Sequence, residues 1–94
     1  MFVQYLLDSI KKYADAKSLS VASVGRYSIG DVNLVDRLKT GRITIRRVNR
    51  VIQWLSNHWP SDLDWPPDIP RPDPTPDSPA ALAAADASKA EDAA

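Results

Sequence analysis

Apolar residues recur at helical spacing through most of the first sixty positions, and that spacing divides the stretch into four segments. In residues 2–17, Val3, Leu6, Leu7, Ile10, Tyr13 and Ala14 fall on one stripe. Gln4, Asp8, Lys11, Lys12 and Asp15 fill the other side, which makes an amphipathic helix with Asp8 and Lys12 as an i,i+4 pair. A second helix is expected after Ser18 or Ser20, either of which suits an N-cap, running to about Tyr27. Its inner face is Val21, Val24 and Tyr27 or Ser28. Gly25 stands inside this helix, where glycine costs about 1 kcal/mol relative to alanine, and close approach of a neighbouring helix would account for it. Ser28-Ile29-Gly30 then makes a turn with Ile29 as the plug beneath it.

The third segment, residues 31–40, lies between Gly30 and Gly41, with Asp31 as the expected N-cap and Gly41 as the C-terminal stop. Val35 and Leu38 point one way with Val32 and Leu34 flanking them, and Asn33 and Arg37 share the opposite face. Thr44 is expected to cap a fourth helix reaching about Asn57. Ile45, Val48, Val51, Ile52 and Leu55 form its buried stripe, continued by Trp59. Trp54 lies within i,i+4 reach of Arg50, close enough for a ring–guanidinium contact.

After Trp59 the pattern changes character. All eight prolines lie from Pro60 onward, a composition that favours extended backbone over helix. Trp59, Leu63, Trp65 and Ile69 are spaced through the first part, so residues 60–70 are expected to pack back on the helices. Residues 71–94 are expected to be a disordered Pro/Ala-rich acidic tail. The predicted organisation is therefore all-α: a four-helix domain over 1–59, a Pro/Trp-rich extension over 60–70, and the tail.

Charge sharpens this division. Residues 1–60 carry ten Lys and Arg against four Asp, while residues 61–94 carry two basic groups against eight acidic ones. The formal net charge of zero thus hides a basic first part joined to an acidic tail, an asymmetry that points the first part toward nucleic acid. Lys39, Arg42, Arg46, Arg47 and Arg50 cluster from the end of the third helix into the fourth, which contains no acidic residue, and read as phosphate contacts. Arginines near a helix start oppose the helix dipole, a cost that phosphate would relieve. On the third helix, asparagine and arginine suit the major groove, where they bond adenine and guanine bidentately.

Catalytic chemistry has little to work with. The chain has no cysteine and one histidine, His58, which suits a helix C-terminus. No nucleophile–base constellation, phosphate-cradling glycine loop or metal-ligand spacing occurs. The expectation is a non-enzymatic protein with no cofactor or metal, soluble, cytoplasmic and nucleoid-associated, without a membrane partner.

Residues 4–57 resemble the phage-repressor/Cro-type (lambda-repressor-like) helix-turn-helix domains. The carrying residues are Val24-Gly25, Val35, Leu38, and Gly41 followed by a basic turn. The resemblance implies a DNA-binding transcriptional regulator, dimeric, with residues 31–40 in the major groove. It places base contacts on Val32, Asn33, Asp36 and Arg37, and phosphate contacts around Arg42, Thr44 and Arg46. One departure stands out: the family has glycine where Ile29 stands, and here the glycine comes one place later, which implies a longer turn and a shifted register. The alternative is a protein-interaction module, using the Trp59–Ile69 segment or the basic face to dock a polymerase subunit, a toxin or another regulator. The acidic tail folding over the basic face is a further arrangement compatible with the composition.

Overall fold

The computed structural model describes residues 2–85. Among them the chain is entirely helical and irregular, with no strand. Helices α1 (Phe2–Ala16), α2 (Val21–Ile29), α3 (Leu34–Thr40) and α4 (Ile45–His58) follow one another through short turns. A further helical run opens at residue 79 and is described to residue 85.

Local chemistry accounts for the helix ends. On α1, Leu6, Ile10, Tyr13 and Ala14 are buried at the expected spacing, while Val3 stays exposed. Ser9 is also buried, and its hydroxyl donates to the Tyr5 carbonyl at 2.8 Å, so its polarity is satisfied within the helix. The helix stops at Ser18, which adopts φ +57° while Leu19 N–H folds back onto the Ala14 carbonyl at 2.8 Å. Ser18 thus ends α1, and Ser20 caps α2 by accepting from Ser23 N–H at 3.1 Å. Gly30 closes α2 in the left-handed region at φ +70°, with its N–H on the Arg26 carbonyl at 2.9 Å. Thr44 caps α4 as expected, accepting from Arg47 N–H at 3.2 Å.

The four helices enclose one core made by Leu6, Ile10, Val24, Leu34, Leu38, Val51, Ile52 and Leu55. α2 lies at its centre, packed against α1, α3 and α4. A Cβ built on Gly25 would stand 2.3 Å from the Asp31 carbonyl oxygen and 2.8 Å from Leu34 Cβ. The start of α3 therefore rests on the bare backbone of α2, the close approach that a glycine at this position permits.

Beyond Val3, other positions depart from the expected stripes. On α2, Val21 is exposed, and of Tyr27 and Ser28 it is Ser28 that turns inward while Tyr27 is exposed. Ile45 is 80% exposed, because it occupies the first turn of α4, before that helix reaches the core at Val48. Trp54 turns away from Arg50: it meets the Tyr13 ring edge-on at 5.3 Å and stacks on His58 at 4.3 Å. His58 Nδ1 lies 2.8 Å from the Trp54 carbonyl, at the C-terminal end of α4.

The extension completes the core. Trp59 and Ile69 are buried, and Leu63 and Trp65 pack against them. One device appears twice, an indole N–H closing a short loop onto a carbonyl four residues on: Trp59 onto Leu63 and Trp65 onto Ile69, both at 2.7 Å. The two indoles meet edge-on at 4.9 Å. Lys12 does not pair with Asp8 but reaches the Asp64 carbonyl at 3.1 Å, tying α1 to the extension.

The packed chain also runs further than the composition suggests. Instead of a tail without structure from residue 71, Arg71 donates to Ser56 Oγ at 3.1 Å and to the Ser56 carbonyl at 2.9 Å, and its guanidinium lies 5.1 Å from the Trp65 ring centre. Ser56 Oγ donates in turn to the Pro72 carbonyl at 2.5 Å. Gln53 reaches the Asp73 carbonyl at 3.0 Å, and Thr75 N–H reaches Asn57 Oδ1 at 2.9 Å. Proline removes donors but leaves carbonyls free; Gln53 and Ser56 of α4 donate to those carbonyls, and Asn57 accepts the Thr75 N–H. Residues 71–75 therefore form a strap across the C-terminal half of α4. Ser78 then caps the run at 79–85, accepting from Ala81 N–H at 3.2 Å. The remainder of the expected tail, residues 86–94, lies outside the described residues.

Candidate nucleic-acid interface

The α2–α3 turn and the short helix after it carry the residues nominated for base contact. Asp31 does not cap α3 directly. Its Oδ1 accepts from Asn33 N–H at 2.9 Å, making a local turn, and α3 begins at Leu34 with Asn33 as its N-cap. This delay rotates the apolar face: Leu34 and Leu38 are buried, Val35 is half-buried, and Val32 is exposed. Asn33 and Asp36 are exposed, and the Asn33 side chain makes no capping hydrogen bond.

Arg37 lies on the same outer side but is engaged within the protein. Its Nε donates to Asp31 Oδ2, and Arg47 Nη1 of α4 lies 3.8 Å from that same oxygen. The Asp31 carboxyl is held below its ordinary value by the Asn33 N–H hydrogen bond, then by Arg37 and Arg47, which together outweigh the desolvation that opposes them. One carboxylate therefore links the turn, α3 and α4. Its side chain is 12% exposed, whereas those of Arg37 and Arg47 are 40% and 42% exposed.

The nominated phosphate contacts follow along the α3–α4 turn and the first half of α4. Lys39, Arg42, Thr44, Arg46 and Arg50 are exposed, and Arg47 is half-buried beside Asp31. Among the described residues, Lys39, Arg42, Arg46 and Arg50 have no carboxylate within ion-pair distance. The first turn of α4 carries no acidic side chain to balance the helix dipole. Thr44 spends its hydroxyl on the Arg47 N–H, so its contribution to the surface is the cap.

The other nominated segment faces inward. Trp59 and Ile69 are 3% and 2% exposed, and Leu63 and Trp65 are partly buried against the same core. These four side chains are committed to the chain's own packing. The strap that continues from them crosses α4 at Gln53, Ser56 and Asn57 and makes no ion pair with the basic residues among the described residues.

Two roles escape inspection of the sequence. Asp31 reads locally as a helix cap, and only the return of α4 reveals it as a carboxylate ion-paired with two arginines. Arg71 reads as part of a solvated proline-rich run. The available signal was its place as the single cation of that run, six residues beyond Trp65. No helix of the described residues is long and apolar enough to cross a membrane. Comparison with protein-family models, curated proteins and solved structures finds no match to this chain.

Proposed function

We propose that this protein is a sequence-specific, double-stranded-DNA-binding transcriptional regulator of the phage-repressor/Cro helix-turn-helix type, acting as a homodimer. In this reading α3 enters the major groove, with Val32, Asn33, Asp36 and Arg37 toward base edges. Lys39, Arg42, Arg46, Arg47 and Arg50 hold the phosphates that fix its register. The observation that carries the reading is the run of exposed basic side chains from Lys39 to Arg50, four of them without a carboxylate partner, beside the exposed face of α3. A surface of this sign gains counterion-release free energy on a duplex, whereas an ordinary solvated face carries balancing carboxylates. No catalytic step, cofactor or metal enters the proposal.

Docking of a protein partner through Trp59–Ile69 is less well supported, because the apolar anchors of that segment are spent inside the protein. Suppression of DNA binding by the tail is likewise weakened for residues 71–75, which lie on the opposite half of α4 from the arginines at its start.

The test is selection of duplexes from a random pool with the purified full chain at two salt concentrations. Enrichment of a discrete, two-fold symmetric motif that persists at the higher salt is expected. Enrichment that vanishes with salt would reduce the function to non-specific binding, and no enrichment would reject DNA as the partner.

A further inference from the structure

Arg37 is held in an unusual way for a surface arginine. Only its Nε is engaged, on Asp31 Oδ2, and neither terminal nitrogen donates to any described group. The post it leans on is itself fixed. Asp31 N–H bonds the Gly25 carbonyl at 3.2 Å, the Asp31 carbonyl accepts from Leu34 N–H at 3.3 Å, and Asp31 Oδ1 is taken by Asn33 N–H. Behind it, bare Gly25 lets the turn seat against α2. A guanidinium anchored through Nε leaves its Nη1–Nη2 edge free, on a side chain that is 40% exposed. That edge presents two parallel donors, which match the O6 and N7 acceptors of a guanine in the major groove. The anchor also removes rotamer freedom before binding rather than during it.

We propose that Asp31 is a positioning residue that makes Arg37 the guanine-reading side chain of this interface. The inference rests on the reading of this face as a duplex-DNA surface. Arg47, on the far side of the same oxygen, helps keep the carboxylate ionised and stands ready as the neighbouring phosphate contact. The arrangement gives a use to an acidic residue set beside a basic face. A carboxylate there weakens attraction to every duplex, and the return is discrimination among them.

Those two consequences have opposite signs, which makes them separable. The experiment compares the full-length wild type with Asp31→Asn, Arg37→Lys, Arg37→Ala and the Asp31→Asn/Arg37→Ala double variant. Binding is measured by fluorescence anisotropy on the duplex enriched from a random pool, on single-base variants of it, and on a random duplex. Asparagine retains an acceptor for Asn33 N–H, so the turn is preserved. In the wild type, replacing one guanine is expected to cost about tenfold in affinity or more. Asp31→Asn is expected to reduce that ratio to about threefold or less while binding random duplex at least as tightly as wild type. Arg37→Lys keeps the charge without the fork and is expected to lose the same ratio. In the Arg37→Ala background, Asp31→Asn should leave the ratio where it is.

A wild-type ratio retained in Asp31→Asn or in Arg37→Lys overturns the inference, as does an equal loss on every duplex, which would mark Arg37 as a phosphate contact. A wild-type motif with no guanine sensitive to Arg37 overturns it while leaving the DNA-binding reading intact. Failure of the wild type to enrich any motif removes both.

Discussion

Replacing Gly25 by alanine tests the central packing of the molecule, because two opposing effects act at that residue. In an exposed helix interior, Gly→Ala stabilises by about 1 kcal/mol through helix propensity. Here the added Cβ would lie 2.3 Å from the Asp31 carbonyl oxygen and 2.8 Å from Leu34 Cβ. The nearer obstacle is backbone, which has no rotamer to change, so the start of α3 must retreat by about 1 Å to reach ordinary contact. Overpacking of this kind costs about 1–3 kcal/mol, and a rigid obstacle belongs at the upper end. After the propensity gain, Gly25→Ala should destabilise by about 2 kcal/mol. For a domain of this size that lowers the melting temperature by about 8–16 °C, readable by far-UV circular dichroism. The displacement also moves Asp31, so affinity for a selected duplex should fall more than affinity for random DNA. A melting temperature equal to or above wild type would refute the reasoning, because it would mean that α2 and α3 do not meet at this glycine.

Other outcomes follow from the same contacts. Ile69→Ala removes a side chain only 2% exposed and should cost about 2–5 kcal/mol in urea unfolding, an outcome incompatible with an extension that merely trails from α4. Arg46→Ala should weaken binding to all duplexes alike and reduce the slope of log affinity against log salt by about 1; an unchanged slope would remove Arg46 from the phosphate contacts. Burial raises the Tyr13 phenol above its ordinary value, so the unfolded chain ionises first as pH rises. The folded state binds more protons than the unfolded one in that window, and stability should fall from about pH 10 upward. Tyr13→Phe should flatten that decline, and an identical alkaline limb in both proteins would contradict the assignment.

Much of the helical framework was legible because its signals are local. Ser20 and Thr44 need only a nearby N–H to act as caps, and Gly30 and Gly41 need only a left-handed backbone, so each acts as its residue type suggests. Gly25 was readable as a close approach, though not what approaches it. α3 starts later than its pattern suggests because the Asp31 carboxylate had a choice of donors: it accepts from Asn33 N–H and Arg37 instead of capping the helix. Ile45 fits the stripe by spacing, yet spacing carries no information about where along its length a helix meets the core. Arg71, Ser56 and Pro72 were illegible for a different reason. A proline-rich run loses donors but retains carbonyls, and whether donors await it depends on a helix surface fifteen or more residues away. At the candidate interface, the side chains on the outside were identifiable from periodicity. The pairing of Arg37 with Asp31 was not, because it depends on a turn geometry that the pattern does not encode.

The extension over residues 60–70 has a consequence for the order in which the chain can become a protein. α1 to α4 are joined by short turns, and most of their contacts are available once residue 58 has been made. Lys12, by contrast, waits for a carbonyl 52 positions away, and Trp59 waits for Trp65 to meet its ring. During synthesis at about 5–20 residues per second, the helices have about 0.5–2 s in which to collapse with that aromatic face still open. Closure by Leu63, Trp65 and Ile69 is then a late, long-range event, slower than helix docking because a larger loop must be brought home. A nascent chain held at that stage offers chaperones and proteases a sticky aromatic surface that the finished molecule conceals. The proline-rich run that looks least like structure thus conceals an aromatic surface that the helices alone would leave open.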